Sequence, residues 1–409
     1  MTPARSSAAL VSSDRLHERV RAFAREALAQ PAPLATQSGA PGFDPPDTDA
    51  GAAGASAFDA LALDIARFQA EHNPSFARLC AHHGRPLDRL AHVPAVPADA
   101  FRLARVAAHG PELDVAAFQT SGTTGGSGRH CFRTLDTYAE LCVSWGRRAL
   151  CGHQPPSPYA VLALAPPFEP ERRSSLGYMI GRFMRELGGR SLAGLFDANE
   201  PGRWLITEGR VDLDGLRRGV RGAEARGEPV LLLATAFALV WLLDALAGAR
   251  LALPRGSVVM LTGGFKGRAR SVDSHELGLA LCRALGVQPR NLIGEYGMTE
   301  LSSQLYDVGF DAEGRTPSVF FEPPWLRVTP VDPISLEPVA PGQVGLACFT
   351  DLANVDSALV VLTRDLVRRV PGGIVLVGRQ PGASLRGCSL AIEALAAWGP
   401  RSSATGAFG

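Results

Sequence analysis

The sequence predicts an α/β fold whose strands lie buried between helices. Two observations lead to it. Short apolar runs at 159–164 and 230–234, and around Val258, Leu292 and Leu346, alternate with helical stretches such as 135–150 and 275–285. That alternation belongs to a sheet covered on its faces. After Gly345 the spacing changes to short strands at 345–350, 357–363 and 374–377. Hydrophobic residues fill 46% of the 409 positions, enough for a full core, and the length exceeds that of a usual single domain.

Taken in order, residues 14–29 have helical spacing with Arg and Glu on the polar side, and 31–57 is rich in Pro, Gly, Ala, Ser and Asp, the composition of a flexible linker. A helical pattern resumes at Phe58 with Leu61, Leu63, Ile65 and Phe68, and a turn at 94–97 leads to Phe101. The longest apolar run, 230–243, reads as a buried strand to Ala234 followed by a buried helix. It falls short of the roughly 20 residues that span a bilayer.

A formal net charge of +1 without a dense basic block gives no electrostatic case for nucleic acid or an anionic membrane. The seven cysteines, at 80, 131, 142, 151, 282, 348 and 388, form no CxxC pair, and an odd number argues against a disulfide framework. With no signal pattern at the N-terminus, a cytoplasmic location is expected. One lysine, Lys266, stands among 41 basic residues, flanked by Gly263, Gly264 and Gly267. In so arginine-rich a chain, a retained lysine suggests a site that needs a compact ammonium.

Residues 120–128 (TSGTTGGSG) combine hydroxyls with glycines. The hydroxyls of Thr120, Ser121, Thr123 and Thr124 supply donors, while Gly122 and Gly125 let backbone N–H groups curve around anionic oxygens. The GxxxxGK[ST] spacing is absent, so this is not a Walker A loop. Far downstream, residues 294–300 (GEYGMTE) follow the apolar Asn291-Leu292-Ile293. They place an aromatic, a glycine, a hydroxyl and a carboxylate at the end of a short strand.

This ordered pair resembles the phosphate loop and the Tyr-Gly-x-Thr-Glu motif of adenylate-forming enzymes, the superfamily of acyl-CoA synthetases and nonribosomal adenylation domains. Residues 171–179 (ERRSSLGYM), 262–268 (TGGFKGR) and 295–307 (EYGMTELSSQLYD) narrow it to a branch. They resemble the bioluminescence-type acyl-protein synthetases, the fatty-acid-activating component of a fatty-acid reductase complex. The likeness runs over roughly 58–398, beginning with FQAEHNP at 68–74.

The resemblance implies an adenylation domain at 58–377 with mixed sheets between helices, after an N-terminal helix and linker at 1–57. Gly378-Arg379 resembles the start of the superfamily's hinge, and 378–409 stands where the mobile C-terminal domain would be, as a short remnant. Departures occur at Arg364, where the Thr-Gly-Asp-Leu pattern has glycine, and at Gln380, where a hinge aspartate is usual.

It also implies the cofactors ATP and Mg²⁺ and a carboxylic-acid substrate. Thr120, Ser121, Thr123 and Thr124 would bind the β- and γ-phosphates, Thr299 the α-phosphate and Glu300 the Mg²⁺. Tyr296 would stack on adenine, with Glu295, Gly297, Gly263 and Gly264 beside it, and Asp365 and Arg379 would hold the ribose hydroxyls, a role for which Asp351 competes. Lys266 would replace the missing C-terminal lysine. Cys388, beside Arg386, would accept the acyl group as a thiolate and pass it to a partner reductase. A carboxylate–CoA ligase that releases acyl-CoA, and a nucleotide-binding scaffold subunit, are the alternatives. His82 and His83 read as surface residues, and His130 is the one histidine near the proposed chemistry.

Overall fold

A computed structural model describes residues 3–29, 56–120, 128–152, 159–168, 173–188, 203–263, 274–307, 309, 313 and 318–380. The chain begins with α1 (Pro3–Ala29), α2 (Ala57–His72) and α3 (Pro74–His83). Side chains set where the last two start. Ser56 Oγ accepts the Asp59 N–H at 3.2 Å, and Asn73 Oδ1 accepts those of Ser75 and Phe76 at 3.1 and 3.2 Å. Each such cap satisfies an amide the helix cannot, a contribution of about 1 kcal/mol. There follow β1 (Val96–Pro97), the single turn α4 (Ala100–Leu103), the hairpin β2 (Ala116–Gln119) and β3 (Arg129–Phe132), α5 (Asp136–Cys151), β4 (Ala160–Leu164), α6 (Ser175–Leu187), the small hairpin β5 (Ile206–Thr207) and β6 (Arg210–Val211), and α7 (Leu213–Ala225). Then come β7 (Val230–Thr235), α8 (Ala236–Leu246), β8 (Val258–Thr262), α9 (Ser274–Leu285), β9 (Leu292–Tyr296), β10 (Leu305–Tyr306), β11 (Val319–Phe320), β12 (Leu326–Val331), β13 (Val344–Asp351), β14 (Val360–Val370) and β15 (Gly373–Arg379).

The first sheet has the order β10-β9-β8-β7-β4, with β4, β7, β8 and β9 parallel and β10 antiparallel at the edge. A parallel sheet is buried on both faces, which is why β7 reads as an unbroken apolar run. Alternate side chains serve opposite cores. Leu231 and Leu233, with Val161, Met260 and Ile293, join the core built by α5 and α6. Leu232, with Leu162, Val259 and Leu292, joins the one built by α7, α8 and α9. The expected strand-then-helix reading of 230–243 is therefore met, and Thr235 is its joint: the last residue of β7 caps α8 by accepting the Ala238 N–H at 3.2 Å.

The second sheet, β12-β13-β14-β15-β11, is antiparallel, with β1 added parallel to β14. It packs on the same core as α5 and α6 through Val328, Phe349, Val361 and Ile374. Helix α1 belongs to that core through Leu16, Val20 and Ala24. Two strands differ from their sequence-based bounds. The run expected at 357–363 is the longer Val360–Val370, because Ser357 lies in a buried turn held by side chains, and the run expected at 374–377 continues to Arg379. Among the described residues no helix is long and apolar enough to cross a membrane.

Candidate active site

The segment after β9, whose carboxyl end pairs with that of β8, meets the hairpin β2–β3. Thr120 closes the base of the hairpin: its N–H donates to Gly128 O and its Oγ1 accepts the Gly128 N–H, both at 2.9 Å. Gly128 lies against α4 so closely that a Cβ there would stand 2.8 Å from the Phe101 carbonyl carbon and oxygen. Of the expected phosphate-binding residues, Thr120 is described and buried, whereas Ser121, Gly122, Thr123, Thr124 and Gly125 lie outside the described residues.

Thr299 sits directly beside this hairpin, after β9. Its Oγ1 donates to Gln119 O at 3.3 Å and lies 3.3 Å from Ser175 Oγ, in the first turn of α6. The amino end of a helix, with its unpaired N–H groups, favours negative charge at that point. The backbone of Thr299 is held from below by His130 on β3, whose Nδ1 lies 2.7 Å from Thr299 O. A carbonyl only accepts, so Nδ1 carries the proton. Burial drives the His130 pKa down to about 4, which keeps the ring neutral, and Phe101 and Phe132 pack against it. His130 is thus a support for Thr299.

The chain turns at Met298, where Leu301 N–H reaches Met298 O at 3.1 Å, and among the described residues no helix follows Glu300. Glu295 and Thr262 are register partners on β9 and β8, and the Thr262 hydroxyl donates to the Glu295 carboxylate. Gly297 crosses over that carboxylate: a Cβ would come within 2.6 Å of Glu295 Oε1. Burial pushes Glu295 up to about 7, with the Thr262 bond pulling the other way.

Tyr296 bridges the two sheets. Its hydroxyl donates to Asp365 Oδ2 at 2.8 Å, and its ring stacks on Phe349 at 5.9 Å with planes 13° apart. Asp365 and Arg379 are register partners on β14 and β15, with Arg379 Nε 3.9 Å from Asp365 Oδ1. Asp351, the competing carboxylate, is fully buried and accepts from Ser302 N–H, Ser303 Oγ and Ala353 N–H at 2.7–3.0 Å, so its oxygens are occupied.

No protein-family model matches the sequence. Over 205 residues the chain is 22% identical to the long-chain-fatty-acid–luciferin-component ligase of Vibrio harveyi, covering 47% of this chain and 52% of that protein. The match thus spans about half the length of that relative. Among solved structures, 2-hydroxyisobutyryl-CoA ligase in an open conformation with 2-HIB-AMP and CoA is similar with a TM-score of 0.55, over 80% of this chain and 76% of the ligase at 15% identity. The same ligase in its postadenylation state with 2-HIB-AMP gives 0.53, over 78% and 67% at 16% identity. The chain has the fold of the adenylate-forming ligases.

Within this adenylate-forming fold, Glu295, Tyr296, Gly297, Thr299 and Glu300 come together with Thr120, Asp365 and Arg379. Gly263, at φ 72°, continues directly from β8. Gly264, Lys266 and Cys388 lie outside the described residues. Glu300 is buried to 9% exposure, and among the described residues no three His, Cys, Asp or Glu side chains gather around a metal position. The Glu300 carboxylate is compatible with Mg²⁺, which is commonly bound through one or two carboxylates plus substrate phosphates.

Sequence reasoning missed a second set of residues, the turn between β13 and β14. Asn354 Nδ2 donates to Glu300 O at 3.0 Å, and Asn354 Oδ1 accepts from Ser302 Oγ at 2.7 Å. Gln69 of α2 grips the turn from the other side, donating to Asn354 O and Val355 O and accepting the Leu359 N–H. Asn73 Nδ2 reaches Ser357 O at 3.4 Å. The stretch at 68–74 carried part of the family resemblance, but its partners lie some 285 positions away, where no local pattern connects them.

Proposed function

We propose that the chain activates a carboxylic acid, in the first instance a fatty acid, with ATP to an acyl adenylate, and transfers the acyl group to Cys388 and on to a partner reductase. The meeting of Thr120, Ser175 and Thr299 on one side of the strand ends, and of Tyr296, Asp365 and Arg379 on the other, carries this reading. The first group would take a triphosphate and the second a nucleoside. An oxygen of the acid attacks the α-phosphorus, the bond from that phosphorus to the bridging β-oxygen breaks, and pyrophosphate leaves. Such a step is catalysed by positioning and charge neutralisation.

The hydroxyls of Thr120, Ser121, Thr123 and Thr124 hold the β- and γ-phosphates, and Thr299 holds the α-phosphate. Adenine stacks on the face of Tyr296 away from Phe349, while Asp365 accepts from a ribose hydroxyl and Arg379 donates to one. Asp365 has this role over Asp351 because the oxygens of Asp351 are consumed inside the fold. Mg²⁺ on Glu300 supplies neutralisation of phosphate charge. Lys266 contacts the α-phosphate or the attacking carboxylate.

In the second half-reaction the Cys388 thiolate attacks the acyl carbonyl, a thioester forms and AMP leaves. The name of the Vibrio harveyi relative supports a long-chain fatty acid as the substrate, and the other cysteines support Cys388 as the acceptor. Burial raises the pKa of all six, Cys80 and Cys151 to about 11 and Cys348 to about 12, which makes them poor nucleophiles. With labelled fatty acid and ATP·Mg²⁺, the wild-type protein is expected to keep hydroxylamine-sensitive label after denaturation. Cys388→Ala is expected to release pyrophosphate but keep no label. Label that persists in Cys388→Ala would place the acceptor elsewhere, and acyl-CoA formed on adding CoA would favour the carboxylate–CoA ligase.

A further inference from the structure

The turn at 351–357 sits between the N-terminal helix and the Thr299–Glu300 segment, and the polar side chains in the path, the half-buried Arg133 apart, are buried. Gln69 and Asp351 are 0% exposed, Asn354 1%, Ser13 2%, His17 5% and Asp356 8%. On the inner side, Asn354 spends its whole amide: Nδ2 on Glu300 O at 3.0 Å and Ala358 O at 2.9 Å, Oδ1 on Ser302 Oγ at 2.7 Å. On the outer side, Asp356 accepts from Ser13 Oγ at 2.6 Å and pairs with His17 Nε2 at 3.0 Å, while His17 Nδ1 meets Thr137 Oγ1 at 2.9 Å. Arg133 closes the group, its Nη2 donating to Ser13 Oγ at 2.7 Å and its Nε 3.5 Å from Asp356. Ser13, His17 and Asp356 are no hydrolytic triad, because the serine hydroxyl donates to the carboxylate and not to the imidazole.

We propose that Asn354 is a positioning residue for Glu300 as a metal ligand and that α1, through Asp356, is the brace that holds it. The inference rests on the adenylation reading. A network that served stability alone could end anywhere in the core. This one ends on the carbonyl of Glu300, next to the Thr299 carbonyl held by His130. Two adjacent carbonyls anchored to two different elements leave the peptides at Thr299 and Glu300 little freedom to turn. The direction of the Glu300 side chain is then set before metal or nucleotide arrives, as outer partners orient metal ligands elsewhere.

The test uses the full chain and Mn²⁺ as the probe, with spin-resonance titration of free metal in the presence of ATP, and calorimetric ATP affinity without metal. Asn354→Leu keeps the volume and removes both donors. It is expected to weaken Mn²⁺ binding at least about tenfold, the usual effect of losing an outer partner of a metal ligand, while metal-free ATP affinity stays within twofold of wild type. Asp356→Asn is expected to weaken Mn²⁺ in the same direction by a smaller factor. Wild-type Mn²⁺ affinity in a cooperatively folding Asn354→Leu, or in Asp356→Asn should the first not fold, would overturn the proposal. A wild-type chain that binds no Mn²⁺ with ATP would instead sink the adenylation reading itself.

Discussion

Glu295 carries the most consequential charge among the described site residues. It is 6% exposed, and burial raises its carboxyl from 4.5 to about 7. A folded-state pKa above the unfolded one means that the native chain binds the extra proton between those values. Stability therefore falls as pH rises from about 4.5 to 7, and the cost is fully present above that window. Glu295→Gln keeps an acceptor for the Thr262 hydroxyl and removes the charge. It is expected to raise stability at pH 8 by up to ~3 kcal/mol and by little at pH 4.5, read from urea unfolding at the two pH values. An equal change at both would show that Glu295 does not titrate in this window. Asp356 has the opposite sign. Burial alone would raise it, but His17, Ser13 and Arg133 outweigh burial and hold it at about 2, so its contribution is present above pH 4 and lost as pH falls through 2. At this scale the turn that carries Tyr296, Thr299 and Glu300 is legible, because a glycine and a hydroxyl stand between an aromatic and a carboxylate after a strand. The roles of His130 and Asn354 are not, since both act through the carbonyl of a residue on another element.

Among the elements, the β2–β3 hairpin depends on one close approach. At Gly128 any side chain meets the backbone of Phe101, and backbone yields far less readily than the end of a flexible side chain. Gly128→Ala is expected to displace the hairpin, lowering ATP affinity tenfold or more and stability by about 1–3 kcal/mol, the usual cost of overpacking. Calorimetric ATP titration and urea midpoints check both, and wild-type ATP affinity would mean that the hairpin base does not set the phosphate loop. Element existence was legible wherever burial left a local trace. The apolar run of β7 shows burial on both faces, and Asn73-Pro74 marks the start of α3. Bounds were less legible where partners are distant. Helix α1 extends well before the 14–29 expected from spacing, and β14 begins only after the turn that Gln69 and Asn73 hold.

For the whole molecule, the parallel sheet aims the ends of β8 and β9 at the hairpin, while the antiparallel sheet brings Asp365 and Arg379 to Tyr296. The site lies at the carboxyl ends of parallel strands, the usual ligand position in open α/β sheets. Helix α1 shares the larger core and meets the site through Asp356 and Asn354. The sequence motifs marked both halves of this site but not the bridge between the sheets, which the Tyr296–Asp365 bond makes across 69 positions. The most direct measurement is ATP–pyrophosphate exchange with labelled pyrophosphate, Mg²⁺ and a series of fatty acids, in the wild-type chain and in Glu300→Gln. Exchange that requires a fatty acid in the wild type and falls at least a hundredfold in Glu300→Gln, about 2.7 kcal/mol of barrier, is the expected result. No acid-dependent exchange by the folded wild-type chain, or equal exchange by Glu300→Gln, would contradict it.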